Sequence, residues 1–372
     1  RHHRTAPLVL ELDLTEGITE GPPSDPLSAV LTMRKTRLGD VLSGLKRARN
    51  DPRVRALIVK IGAHPIGLAV VQELRSAVLA LREAGKLAVA YSEGFGEFGG
   101  GTVAYYLATA FERIYLQPSG EVGLTGVILE QRFVKQALAK LGVTYQLGQR
   151  YEYKTAPNAL TQDRMTEPHR ESHARIVASI TEHLVAGIAE GRGLEPAKVR
   201  ELIDRGPFSA AEALEAGLVD KLAYRDEVYD EIRGEKDQLL FVTRYVKGQL
   251  AKRLSPPGTP AVALIHGIGM IKPGRSGRHP LGGTAMGADT VTAALRAARK
   301  DEKIKAIVFR VDSPGGSYSA SDAIWREVVL ALLAGKPVVV SMGDLAASGG
   351  YLVSVGADAI VAQPGTLTGS IG

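Results

Sequence analysis

Two stretches of this chain are versions of each other. Leu45 to Lys86 aligns without a gap on Leu295 to Lys336, with LKRARNDPRVRALIVKI opposite LRAARKDEKIKAIVFRV and AGK opposite AGK. Four extra residues in the first copy then separate the two before they rejoin, with Gln117-Pro118, Gly123 and Gly126 opposite Gln363-Pro364, Gly369 and Gly372. A duplicated unit must be able to fold twice in one chain, so each copy needs its own core. At 372 residues there is length for two such cores.

The copies are not equivalent in chemistry. Where the second reads Asp312-Ser313-Pro314-Gly315-Gly316 and Ala347-Ser348-Gly349-Gly350-Tyr351, the first reads Gly62-Ala63-His64-Pro65-Ile66 and Gly99-Gly100-Gly101-Thr102-Val103. One-sided loss of this kind implies a division of labour between the halves.

Each copy alternates apolar runs of strand length with helical spacing. In the second, Ile304 to Val311 is a strand, Ser319 to Leu333 a helix, Val338 to Ser341 a strand, a helix starts near Ser348, and Ala359 to Ala362 is a strand. The first repeats this order over Ala56 to Ile61, Ala69 to Leu81, Leu87 to Tyr91, Thr102 to Ala110 and Arg113 to Leu116. Buried strands joined by helices imply parallel βαβ units and an α/β fold. Helices are expected over Arg132 to Leu141 and Glu167 to Glu190, a helix pair over Leu194 to Leu222, and a polar, mostly helical stretch over Asp226 to Leu254. Residues 255–260 (SPPGTP) read as a linker between domains 1–254 and 261–372. The glycine-rich, basic segment Ile271 to Gly287 reads as a mobile loop near the site. The second copy stops at Gly372 where the first runs on for over 100 residues, so the chain is expected to be part of a longer protein.

Composition excludes several classes. With no cysteine there is no disulfide, thiolate metal site or catalytic thiol. No run of roughly 18 apolar residues is present. A net charge of +6 favours acidic surfaces, including anionic lipid, but the basic residues are scattered and nucleic acid is not an expected partner. No metal-ligand spacing such as HExxH occurs; His169, His173 and His183 read as a helix face and His266 as a strand-end residue with a satisfied hydrogen bond. Gly94 to Gly99 fits GxGxxG, a weak signal better read as a degenerate loop.

Ser348 is the leading nucleophile candidate, at a strand-to-helix junction between small residues. Gly316 and Gly349 are the candidate amide donors of an oxyanion hole. Read one at a time, the serine is a helix cap and the glycines are turn residues; their joint presence in one copy and joint absence from the other favours chemistry. A serine nucleophile needs a base. No histidine follows Ser348, and a lysine is the other option; Lys154 lies in YEYKTAP, a segment that reads as neither helix nor strand.

DSPGGS, ASGGY and TLTGSIG, in this order and spacing, resemble the signal peptide peptidase A family of serine proteases in its tandem-domain form. The resemblance implies tandem ClpP/crotonase-like (β-β-α superhelix) domains and a Ser-Lys dyad without cofactor or metal. On the matching motifs Ser348 is the nucleophile and Lys154 the base. Gly316 and Gly349 form the oxyanion hole, and Ser370 orients the lysine. Threonine at 155 departs from the serine common there. The resemblance further implies cleaved signal peptides and other short apolar peptides as substrates, a homotetramer, and association with the extracytoplasmic face of a bacterial membrane. A crotonase-like acyl-CoA enzyme or carboxyltransferase, which needs no serine, is the main rival reading; an inactive scaffold is the other.

Overall fold

A computed structural model of the chain describes residues 6–23, 36–97, 99–250, 258–278 and 283–371. Two parallel sheets organise it. The first has the strand order Gln238–Phe241, Leu8–Asp13, Val54–Lys60, Leu87–Ser92, Arg113–Leu116, Lys221–Leu222. The second has the order Ala261–Ile268, Ile304–Ser313, Val338–Ala347, Ala359–Val361, and Leu367–Gly369 pairs with the far end of the long strand Val338–Ala347.

The duplication is visible in the strand register. Leu57 lies beside Ala88 and Ile307 beside Val338, so both partners keep the same offset between copies. At the next strand Val89 lies beside Arg113 but Val339 beside Ala359, which places the four extra residues between these two strands.

Apolar strands fold this way because both faces of the first sheet are covered. Leu57 and Val59 face a large core with Val70, Leu74 and Val78 of helix Leu68–Glu83, while Ala56 and Ile58 face a second cluster with Val228 and Ile232. Each such side chain, fully buried, contributes roughly 1.5–3 kcal/mol. In the second unit Ile307, Phe309 and Val340 pack on Ile324 and Val328 of helix Tyr318–Leu333. Its other face carries Val262, Leu264 and Val361 exposed.

Four expectations change. Leu8–Asp13 and Gln238–Phe241 are strands that pair with each other across more than two hundred residues of sequence; the second is only half-buried and too short to show a period. The stretch from Asp226 is therefore helix, strand, helix: Arg225–Ile232, Gln238–Phe241, Val242–Leu250. The described part of the expected loop Ile271 to Gly287 is a small three-stranded sheet of Met270–Lys272, Thr284–Gly287 and Gly277–Arg278. Strand Val338–Ala347 runs six residues beyond Ser341, up to the residue before Ser348. Of the expected linker, residues 255–257 lie outside the described residues.

Candidate active site

Ser348 sits where the strand Val338–Ala347 meets the short helix Gly349–Leu352. Its backbone is held at φ 53°, ψ −115°, a sparsely populated conformation for a residue with a side chain. The hydroxyl makes no capping hydrogen bond to the helix, so the reading of Ser348 as a simple cap does not hold. Its amide donates to the Gly369 carbonyl at 2.8 Å, which ties the turn to the neighbouring strand Leu367–Gly369.

Gly315 and Gly316 approach this turn closely. Their φ angles of 94° and 150° suit glycine alone. A Cβ on Gly315 would lie 2.5 Å from the Gly349 nitrogen and 2.8 Å from the Ser348 Cβ. Ile271 brackets the pair: its amide donates to Gly315 O at 2.8 Å, and its carbonyl accepts from Ser317 N at 2.9 Å. In a parallel bridge of this form the central residue, Gly316, turns its own N–H away from the partner strand. A Cβ built on Gly349 would come within 3.3 Å of the Gly316 nitrogen, so the two glycines are close neighbours. Among the described residues neither amide donates a hydrogen bond. Ser313 Oγ fixes the loop by donating to Gly269 O at 2.7 Å and accepting from Gly315 N at 3.1 Å.

Lys154 reaches this cleft from the first unit. Its Nζ donates to Ser370 O at 2.5 Å and to Ser370 Oγ at 3.0 Å. Ser370 follows Gly369 directly, so the lysine and the serine turn hold adjacent residues of one strand end. No hydrogen bond joins Lys154 to Ser348 itself. The lysine segment is braced by Tyr153 Oη donating to Glu171 Oε2 at 2.5 Å and by Asn158 beside the buried His169. Burial and the neighbouring His173 hold the His169 imidazole below its ordinary range. His266 lies mid-strand against Gly21 and makes no side-chain hydrogen bond among the described residues, contrary to expectation; burial lowers its pKa as well.

The first copy is built differently at the corresponding place. Gly101, not Gly100, occupies the position of Ser348: it caps helix Thr102–Ala108, and its amide donates to Gly123 O as that of Ser348 does to Gly369 O. A Cβ on Gly101 would overlap the Phe95 carbonyl oxygen, so that backbone fills the space a serine side chain would need.

A family model described as "Peptidase family S49" matches residues 80–239 and 331–372, one stretch in each unit. The chain belongs to peptidase family S49. The tandem ClpP/crotonase-like α/β class expected from the motifs goes with that membership. Similar proteins include the chloroplastic serine protease SPPA of Arabidopsis thaliana, 32% identical over 88% of this chain and 48% of the relative. Protease 4 of Salmonella typhi is 32% identical over 91% of this chain and 55% of its own length. A putative signal peptide peptidase SppA of Enterococcus faecium is 24% identical over 52% and 55%. The chain thus spans about half the length of the curated relatives it matches.

Sequence reasoning singled out Ser348, Lys154, Gly316, Gly349 and Ser370. It missed Asp344, Arg310 and Gly67, which join the two units. The one signal for them was Gly67 standing opposite Ser317 in the repeat.

Proposed function

We propose that this S49 member is a serine endopeptidase working through a Ser348–Lys154 dyad assembled across its two units. The observation that carries the reading is Lys154 Nζ on Ser370, one residue past the carbonyl that anchors the Ser348 turn. Residues 1–254 supply the base, 255–260 connect, and 261–372 supply the nucleophile and amide donors.

In the reaction, Lys154 in its neutral amine form takes the Ser348 proton as the hydroxyl oxygen attacks the scissile carbonyl. The carbonyl oxygen becomes an oxyanion held by the Gly316 and Gly349 amides, which need no reorganisation to receive it. The lysine returns the proton to the leaving amine, and then activates water to release the acyl group from Ser348. Ser370 orients the lysine amine throughout. Neither cofactor nor metal is required by this chemistry.

Short, extended apolar peptides, signal-peptide remnants among them, are the substrate class; a relative named as a putative signal peptide peptidase supports it. We assign the assembly as a homotetramer; the apolar side chains exposed on one segment of the first unit, Ile128, Leu141, Val143 and Leu147, support an interface there. The setting is the extracytoplasmic face of a bacterial membrane, with the positive net charge favouring an anionic surface. No described helix is long and apolar enough to cross a membrane.

Mass spectrometry of the intact protein after incubation with a fluorophosphonate tests the dyad. The expected result is one adduct on Ser348 that is lost in Lys154→Ala. Labelling retained in Lys154→Ala would sink the dyad, and no labelling of folded wild type would favour a crotonase-like, serine-independent use of the two amides.

A further inference from the structure

Three segments of the second unit carry the proposed chemistry, and each is tied to the start of one helix in the first. Arg310, six residues before Gly316, donates to Glu20 at 3.0 and 2.6 Å and faces Glu73 Oε1 at 2.7 Å. The Glu73 contact is an ion pair between two largely buried side chains. Asp344, four residues before Ser348, accepts with Oδ1 from the amides of Ala69 and Val70 at 2.8 and 3.2 Å. Gly365, five residues before Ser370, donates its amide to Gln72 Oε1 at 2.7 Å. Ala69, Val70, Gln72 and Glu73 all belong to the first two turns of helix Leu68–Glu83.

This helix lacks its own cap. In the second copy the equivalent helix Tyr318–Leu333 is capped by Ser317, whose Oγ accepts from Ala320 N at 3.4 Å. The repeat puts Gly67 at that position in the first copy, with no side chain to offer the orphaned amides. Backbone conformation does not require glycine there, since φ is −65°. Space does: a Cβ on Gly67 would overlap the Asp344 carboxylate. Continuing the sequence offset shared by the copies puts Asp344 opposite Gly94. One copy has given up a cap and the other has gained the acid that replaces it.

We infer that the start of helix Leu68–Glu83 is a positioning element that sets the separation of Ser348 and Lys154 across the two units, with Asp344 as the positioning residue on the nucleophile strand. The inference rests on the dyad reading. Nucleophile and base come from different units and share no direct hydrogen bond, so their alignment depends on how the units are registered. A misplacement of about 1 Å costs on the order of 100-fold in rate.

The test measures kcat and KM of the intact protein on a fluorogenic apolar peptide for Asp344→Ala, Asp344→Asn, Gly67→Ser and Lys154→Ala. Asp344→Ala and Gly67→Ser should lower kcat by about 10–100-fold with KM within about twofold. Asp344→Asn, whose amide oxygen can accept the same two bonds, should recover to within about threefold. In Gly67→Ser the new hydroxyl caps the helix as Ser317 does while expelling Asp344, so it keeps the fold and carries the test if Asp344→Ala does not fold. A wild-type kcat in Gly67→Ser, or Asp344→Asn as impaired as Asp344→Ala, overturns the inference. Full turnover in Lys154→Ala overturns the dyad reading and the inference with it; an inactive Lys154→Ala beside a wild-type Gly67→Ser removes the inference alone.

Discussion

Lys154 and Ser370 belong to different units, yet the lysine Nζ donates to both the carbonyl and the hydroxyl of this one serine. Those bonds hold the proposed base beside the Ser348 turn and leave the proposed nucleophile free of it. The hydroxyl is one of two acceptors, and its removal leaves the carbonyl in place.

Ser370→Ala should therefore lower kcat by about 10-fold, less than Lys154→Ala does, because one hydrogen bond of two is lost. Ser370 is exposed, so the stability change should stay within about 0.5 kcal/mol. Steady-state kinetics and a urea melt check both halves; a Ser370→Ala enzyme as inactive as Lys154→Ala would contradict this account of the carbonyl.

Gly316→Ala should be severe. Its φ of 150° disfavours a side chain, and a Cβ would overlap the Ile271 carbonyl that pins the loop. We expect a loss of about 100–1,000-fold in kcat from the displaced amide and roughly 1–3 kcal/mol of stability. Gly100→Ala is the control: nothing lies within 4 Å of a Cβ there, and both stability and rate should be unchanged.

Asp312 supplies a pH dependence of stability. Its carboxyl is pushed up to about 6, first by burial and further by Glu20 and Asp344, against the Leu345 amide that donates to it. An acid whose native pKa exceeds its unfolded value near 4 carries no penalty when both states are protonated. The penalty grows between about pH 4 and 6 and is complete above that. Asp312→Asn should thus stabilise the protein near pH 8 by at most about 3 kcal/mol, with the gain vanishing near pH 4. Denaturant melts at the two pH values decide it; a difference independent of pH would show that ionisation is not the cause.

Arg310→Ala should cost roughly 3–5 kcal/mol, because it leaves the largely buried Glu20 and Glu73 facing each other with no cation between them. Chemical denaturation of the intact protein measures this. A loss below about 1 kcal/mol would mean that the junction is solvated and the pair superficial.

The duplication and the α/β class were legible because each leaves a local trace; Ser348 and the glycines stood out as candidates, while Lys154 and Ser370 took their proposed roles only from the family resemblance. Apolar runs of strand length mark parallel strands, and glycine pairs and small residues around Ser348 mark a tight approach of backbone. The strands Leu8–Asp13 and Gln238–Phe241 left no such trace for the second, whose partner is far along the chain. The segment after Ile271 looked like a loop because glycine and basic residues dominate it, although its strands pair with one another and bracket Gly316. The counterpart of Ser348 was misplaced by one residue for a related reason: a gap can slide within a run of glycines, whereas the Gly101 amide has one acceptor.

What the sequence determined by itself is the repeat, the motif set in its second copy, and the absence of that set from its first. These are properties of order along the chain. Tertiary structure alone decided which residue of the first unit meets which of the second. Asp344 on the amides after Gly67 and Arg310 between Glu20 and Glu73 are contacts across more than 200 positions. No local propensity encodes such pairings; they follow from orphaned helix amides and buried charges finding partners only when the two units dock.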